Sequence, residues 1–383
     1  MTIDTTGSQI IEPNPNCDCG LTYGCSKCRP IYTQPLNKNM NFINFKQEYS
    51  DHKQEIDEAV LNVLASGCYI GGQEVELFEK ELAKYHNVKY AISCASGTDA
   101  LFLSLKALGI GKGDEVITTP FTFVATAGAI VNVGATPIFV DINTDDFNIN
   151  ADLIEEKITS KTKAILPVHL FGKPAEMKKI MELAKKYHLF VIEDTAQATG
   201  IKPSGDCSCL SFYPTKNLAG MGDGGAILTN NEELAKKIKI LKGHGIGKTY
   251  VSEIVGVNSR LDAFNAVVLR IRLKYIDEIL KRRKENARYY CEQLEIEFFE
   301  DSTYNQFTVR IKDRNNTKFD FPTKVYYPVP LHLQPAFEYL GYKDESLPES
   351  TKASNEVISL PLLISREEQD EVITKIKTCL LNM

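Results

Sequence analysis

Short apolar runs alternating with stretches of helical spacing set the strongest limit on how this chain can fold. Strand-type runs lie at 90–93, 115–118, 137–140, 163–168 and 189–192, and helical spacing appears at 99–108 and 175–187. Strands joined through helices must run side by side in the same direction. The pattern therefore predicts an α/β fold with a mainly parallel central sheet flanked by helices. Residues 116–140 carry no charge, yet Pro120, Pro137 and two glycines interrupt the run. We read that stretch as a buried strand, helix and strand rather than a membrane span.

Beyond residue 261 the character changes. Residues 262–294 carry apolar positions at helical spacing among many charges, which predicts one or two long helices. The remainder mixes short strands, Pro-rich loops and a terminal helix near 367–380, a smaller α+β C-terminal domain. Residues 1–40 are rich in Asn, Thr, Pro and Cys without periodicity and read as an irregular, Cys-containing tail. We therefore divide the 383 residues into that tail, a large domain at 41–265 and a small domain at 266–383.

The net charge of −6 is spread among interspersed acids and bases. No basic tract calls for nucleic acid, and no basic amphipathic helix calls for a membrane surface. No basic start followed by an apolar run is present, so no secretory signal is read. Cys68, Cys94, Cys207, Cys209, Cys291 and Cys379 are scattered, as expected in a reducing compartment such as the cytoplasm. Cys17, Cys19, Cys25 and Cys28 cluster in the tail. Four thiolates can close a tetrahedral zinc site, but the CxC half is less usual for zinc than the CxxC half, and a plain Cys-rich tail is the other reading.

Three segments carry candidate chemistry. Lys216 sits in SFYPTKN (211–217), shortly before GDGG (222–225). A partly desolvated lysine has a lowered pKa, and its free amine can attack a carbonyl to form a Schiff base. The glycines permit close backbone approach to a bound group. The SGTDAL segment (96–101) follows a strand and opens a helix, so it serves either as a plain helix cap or as a phosphate site. Asp194, in IEDTAQ (192–197), stands at the carboxyl end of a buried strand, where open α/β sheets bind ligands. It could cap a helix, bind metal or pair with a cationic ring nitrogen, and no matching ligand set favours metal.

Together these segments resemble the sugar aminotransferases of the DegT/DnrJ/EryC/StrS family, fold-type I pyridoxal-phosphate enzymes. The resemblance runs from about residue 42 to the C-terminus. It is carried in order by SGCYIGG (66–72), SCASGTDAL (93–101), GDEVITTPFTFVATA (113–127), PVHLFG (167–172), IEDTAQATG (192–200), SFYPTKN (211–217), GDGGAILTN (222–230), GVNSRLD (256–262) and YYPVPLHLQPAF (326–337). The resemblance implies that Lys216 is the Schiff-base lysine and that Asp194 salt-bridges the pyridine nitrogen of pyridoxal 5'-phosphate. Gly97, Thr98 and Ser211 would hold the phosphate, Phe123 would stack on the ring, and Gln197 would lie beside the phenolic oxygen. Phe123 also reads as core packing.

Asn258, with Arg260, would reach the site of a neighbouring copy in a homodimer, although Arg260 also fits a structural salt bridge. Tyr327 and His332 would lie near the sugar. The reaction implied is transamination of a nucleotide-linked keto sugar with glutamate as donor. Relatives that dehydrate sugars carry His where Lys216 stands. GVNSRLD resembles the branch acting on 3-keto sugars, and 4-keto enzymes more often carry a bulkier residue at position 259. A non-catalytic regulatory protein on the same fold is the alternative. The chain departs from the family in the short 311–325 segment, where relatives usually place a helix, and in the cysteine tail.

Overall fold

The computed structural model describes residues 40–248, 250–312 and 314–381. Its centre is a seven-stranded sheet made of β1 (Tyr90–Cys94), β2 (Glu115–Thr118), β3 (Thr136–Phe139), β4 (Thr162–Leu166), β5 (Phe190–Asp194), β6 (Cys207–Ser211) and β7 (Gly225–Thr229), in the order β1-β7-β6-β5-β4-β2-β3. The pairs β2–β3, β2–β4, β4–β5 and β5–β6 are parallel, and β7 runs antiparallel to both β6 and β1. Every strand except β7 therefore ends at the same edge. The strand at β6 was not visible as an apolar run, because it reads CSCLS, with serine at two of its five positions.

The strands are buried on both faces, as parallel strands must be. Ile92, Val116, Leu166, Ile192, Cys209 and Ile227 point to one side, into a core shared with Leu101, Leu105, Ile130 and Ile238. Those last four residues belong to helices α4 (Gly97–Ala107), α5 (Ala125–Asn132) and α7 (Glu232–Lys242). Their strand neighbours point to the other side. Ala91, Leu210 and Leu228 meet α3 (Gln73–Tyr85) and α8 (Ala263–Lys274), while Ile117, Ile165 and Val191 meet α6 (Met177–Tyr187). The two-residue alternation of the strand sorts each side chain to one layer or the other.

The uncharged stretch 116–140 is β2, α5 and β3, all within this core. No helix among the described residues is long and apolar enough to cross a membrane.

The helical region after residue 261 is two helices, α8 and α9 (Ile276–Leu294), meeting at Tyr275. The 265/266 boundary falls inside α8. That helix is buried almost all round: Leu269 and Leu273 face the sheet layer, while Val267, Val268 and Ile271 face Ile56 and Val63 of α2 (Lys53–Ser66). A second core begins with α9, where Tyr290, Phe307, Ile358 and Ile376 pack together. It joins α9, the antiparallel pair β10 (Phe307–Arg310) and β11 (Val357–Leu360), and α11 (Arg366–Leu381). Preceding these are the helix α1 (Phe45–Ser50) and the hairpin β8 (Ile246–Lys248) and β9 (Val251–Ser252), and between β10 and β11 lies α10 (Pro348–Glu356). Among the described residues of 311–325 there is no α-helix, only a 3-10 turn at Arg314–Asn316.

Candidate active site

Asp194 is the last residue of β5, at the edge where the parallel strands end. Its backbone N–H donates to Pro167 O at 2.9 Å, and its carbonyl accepts His169 N–H at 3.0 Å. The main chain is thus pinned on both sides. Its carboxylate is buried and accepts the Thr126 hydroxyl at 2.8 Å and the Ala196 N–H at 3.2 Å. Burial pushes the Asp194 pKa up, and Thr126, Ala196 and Lys216 oppose that shift. A buried carboxylate with so little compensation is a good seat for a cationic group.

Lys216 supplies part of that compensation. It sits in the loop between β6 and β7, with its N–H donating to Tyr213 O at 2.9 Å. Helix α8 holds this loop: Asn265 accepts Met221 N–H at 2.9 Å and donates to Asp223 O at 2.8 Å, and Arg272 donates to Ala219 O at 2.7 Å. A Cβ at Gly220 would stand 2.5 Å from Asn265 Oδ1, so only glycine allows this contact. Burial pushes the Lys216 amine down to about 8, with Asp194 pulling the other way. A lysine held near 8 keeps a usable fraction of neutral amine at neutral pH, which nucleophilic attack requires.

The third part is a cup at the start of α4. Ser96 caps the helix, its Oγ accepting Asp99 N–H at 3.1 Å. Ser211, the last residue of β6, pairs with Gly225 on β7, and Gly225 pairs on its other side with Cys94 of β1. The three strand ends meet so closely that a Cβ at Gly97 would lie 2.7 Å from Ser211 Cβ, and one at Gly225 would lie 2.3 Å from Ser96 O. Glycine at both positions brings a serine hydroxyl against an open helix N-terminus, an arrangement suited to phosphate.

Phe121 and Phe123 stand two residues apart and meet opposite fates. Phe121 is 0% exposed and lies in the core, whereas Phe123 is 53% exposed. Core packing therefore does not account for Phe123. Its ring lies 6.3 Å from that of Tyr327, which also meets Phe121 at 6.2 Å. Gln197 joins these parts: its Oε1 accepts Phe171 N–H at 2.7 Å, and its Nε2 donates to the Tyr327 hydroxyl at 3.1 Å. The loop bearing Tyr327 and His332 is docked by Leu331 N–H on Pro120 O at 2.8 Å.

The side chains of the remaining candidates make no hydrogen bond to these groups. His332 is buried against Tyr342, with Nε2 3.5 Å from Thr351 Oγ1 and Nδ1 without a partner. Burial pushes its pKa down. Asn258 and Arg260 are exposed, and their side chains make no hydrogen bond or ion pair with the described residues. His169 is a satisfied core residue, its Nδ1 accepting Ala175 N–H at 3.0 Å and its Nε2 2.8 Å from Glu193. An open cleft of about 750 Å³ bounded by Tyr85, Lys202, Asp277, Lys284 and Arg288 contains none of the candidate residues.

Cys17, Cys19, Cys25 and Cys28 lie outside the described residues, and among the described residues no cluster could hold a metal. Two polar residues of the site were missed from sequence. Thr126 was legible, since it stands in the first turn of α5, four residues after Thr122, whose hydroxyl it meets at 3.1 Å. The partner of Ser259 was not: its hydroxyl donates to Asp99 Oδ2 at 2.6 Å across 160 residues of chain.

The model of the DegT/DnrJ/EryC1/StrS aminotransferase family matches residues 50–377. The chain belongs to that family. It is 42% identical over 354 residues to a dTDP-3-amino-3,6-dideoxy-alpha-D-galactopyranose transaminase of Aneurinibacillus thermoaerophilus, covering 87% of this chain and 97% of the relative. It is 41% identical over 363 residues to a pleiotropic regulatory protein of Geobacillus stearothermophilus, covering 88% and 98%. Its fold matches that of NtdA from Bacillus subtilis, solved with the bound cofactor PMP, at a TM-score of 0.84 and 36% identity, covering 91% of this chain and 88% of that one. This aminotransferase uses pyridoxal phosphate. The site fits the cofactor: a glycine-walled cup for phosphate, a buried carboxylate for the ring nitrogen and an amine for the carbonyl carbon.

Proposed function

We propose that the chain moves an amino group from glutamate to carbon 3 of a nucleotide-linked keto sugar, giving an amino sugar for glycan or polysaccharide biosynthesis. It works in the cytoplasm as a homodimer whose copies complete each other's sites. The observation that carries the reading is the convergence of a buried Asp194 with an amine at Lys216 pushed down to about 8. Bound pyridoxal phosphate supplies an electron sink that lets a carbon–hydrogen bond beside nitrogen ionise.

The chain does the rest. Lys216 tethers the cofactor and, once displaced by the incoming amine, is the base that takes the proton and the acid that returns it. Asp194 keeps its ionic partner protonated, with Thr126 and the Ala196 N–H fixing the carboxylate's direction. Ser211, Gly97 and Thr98 hold the phosphate end. Phe123 covers one ring face, and Gln197 and Tyr327 form a bonded pair at the wall.

Two observations favour carbon 3. The transaminase relative is named for a 3-amino sugar. Ser259 is fully buried, so a bulkier residue there would displace the 256–260 loop. The second reading, a regulatory protein without turnover, draws on the name of the Geobacillus relative. Purified protein given glutamate and a panel of 3-keto and 4-keto nucleotide sugars separates these readings. An aminated 3-keto product, seen by mass spectrometry, is expected. Product from 4-keto sugars alone would overturn the carbon assignment, and a cofactor-loaded protein that aminates nothing would favour regulation.

A further inference from the structure

The loop at 256–260 is fastened to its own chain at two residues: Val257 exchanges backbone hydrogen bonds with Leu241 and His244, and Ser259 is tied through both its backbone and its side chain. Ser259 is 0% exposed, and its hydroxyl donates to Asp99 Oδ2 at 2.6 Å while accepting Ala95 N–H at 3.1 Å. Its backbone N–H donates to Lys242 O at 2.9 Å. Lys242, near the end of α7, donates in turn to Ser93 O at 2.6 Å and pairs with Glu79 at 3.2 Å. Glu79 also accepts the Ser93 N–H and hydroxyl, at 2.8 Å and 2.7 Å. The loop, the end of α7 and the end of β1 are thus one bonded unit. Asp99 belongs to the phosphate cup, since its N–H closes on Ser96 Oγ at 3.1 Å.

Side chains alternate along extended backbone, so Ser259 facing inward sends Asn258 and Arg260 outward. Both are exposed and unpartnered among the described residues. A loop so firmly anchored to the cup yet presenting a free amide and a free guanidinium away from it is built to be read by something outside the chain. We propose that the Ser259–Asp99 hydrogen bond is a positioning pair that ties each chain's phosphate cup to the arm it offers to the other copy's site. Ser259 then acts in trans, on a site it does not touch. This rests on the homodimer with shared sites proposed above.

Mixed dimers with two different affinity tags test it, read by pyridoxal-phosphate titration and by turnover per competent site. In a dimer of a Lys216→Ala chain with a Ser259→Ala chain, only the second chain can tether cofactor. The arm serving it comes from the first chain and is intact, so any deficit is limited to the lost Asp99 and Ala95 contacts in its own cup and stays smaller than in the reversed arrangement. Placing both substitutions on one chain opposite a wild-type chain reverses this: the competent site meets an untethered arm, and cofactor affinity falls about ten-fold, the effect of one lost charge-assisted hydrogen bond. A deficit in the site of the chain carrying Ser259→Ala that equals or exceeds the one in the opposite site overturns action in trans. If Ser259→Ala does not fold, Asp99→Asn on the Lys216→Ala chain reads the same coupling, with a drop of about three-fold expected in the wild-type site and no drop overturning the proposal. Failure of the two tags to co-purify, with a monomer by sedimentation, overturns the homodimer reading itself and is distinct from either result.

Discussion

Asp194, Ser211 and Gly97 are held within their own chain by strand ends and a helix turn, packed so closely that glycine at 97 and 225 leaves no room for a Cβ. Asn258 and Arg260 stand on the loop beside the same cup, exposed and without side-chain partners among the described residues. The first region is complete as one chain. The second, on the function proposed above, faces another molecule. On that reading, chemistry common to many substrates is placed where one chain fixes it rigidly, and the part facing a variable substrate is carried by a loop anchored at Val257 and the buried Ser259.

Substitutions in the two regions should differ in kind as well as size. Lys216→Ala is expected to lower turnover by roughly 10²–10⁴-fold or more, because it removes both tether and proton carrier. Steady-state amination with glutamate measures this, and appreciable residual turnover would mean that another amine serves. Asp194→Asn is expected to cost on the order of 10²–10³-fold in kcat, the scale of losing one preorganised electrostatic partner. An unchanged absorption spectrum of the bound cofactor in that variant would show that Asp194 does not face the ring nitrogen.

The phenylalanine pair gives an internal control. Phe121→Ala should destabilise the fold by about 3–5 kcal/mol by opening a cavity. Phe123→Ala should leave thermal unfolding of the cofactor-free protein nearly unchanged and weaken cofactor binding by about 0.5–1.5 kcal/mol. Melting curves and cofactor titrations of both variants distinguish a stacking ring from a packing one. The smallest stability effect belongs to the arm: Arg260→Ala should shift unfolding by less than about 0.5 kcal/mol while raising KM for the nucleotide sugar. A large loss of stability with unchanged KM would make Arg260 a structural residue.

Proton inventory adds a test by pH. Lys216 attacks as the neutral amine, and burial holds its pKa at about 8 instead of the usual 10.5. Cofactor capture by stripped protein should therefore speed up as pH rises and level off above about 8. A rise continuing toward pH 10 would place the lysine in water.

Much of this was legible in the sequence because the site hangs on strand ends. Runs at 115–118 and 189–192 located the carboxyl edge of the sheet, and Asp194 followed from the second of them. The boundaries of α4 and α6 fell within two residues of those expected, since their apolar faces are regular. Strand β6 was hidden by its small polar residues, which suit a position buried between neighbours on both sides. Helix α8 was assigned across a boundary because helical spacing marks a buried face without naming what covers it. Ser259 was noted for its size alone, and its bond to Asp99 depends on how the sheet, α4 and α7 close together in space.

The central claim is that Lys216 tethers the cofactor against Asp194. Borohydride reduction of the yellow, cofactor-loaded protein followed by peptide mass mapping tests it most directly. The account predicts one modified peptide, the one containing Lys216, and no covalent cofactor in the Lys216→Ala variant. Cofactor fixed on a different lysine, or trapped equally in that variant, would contradict it.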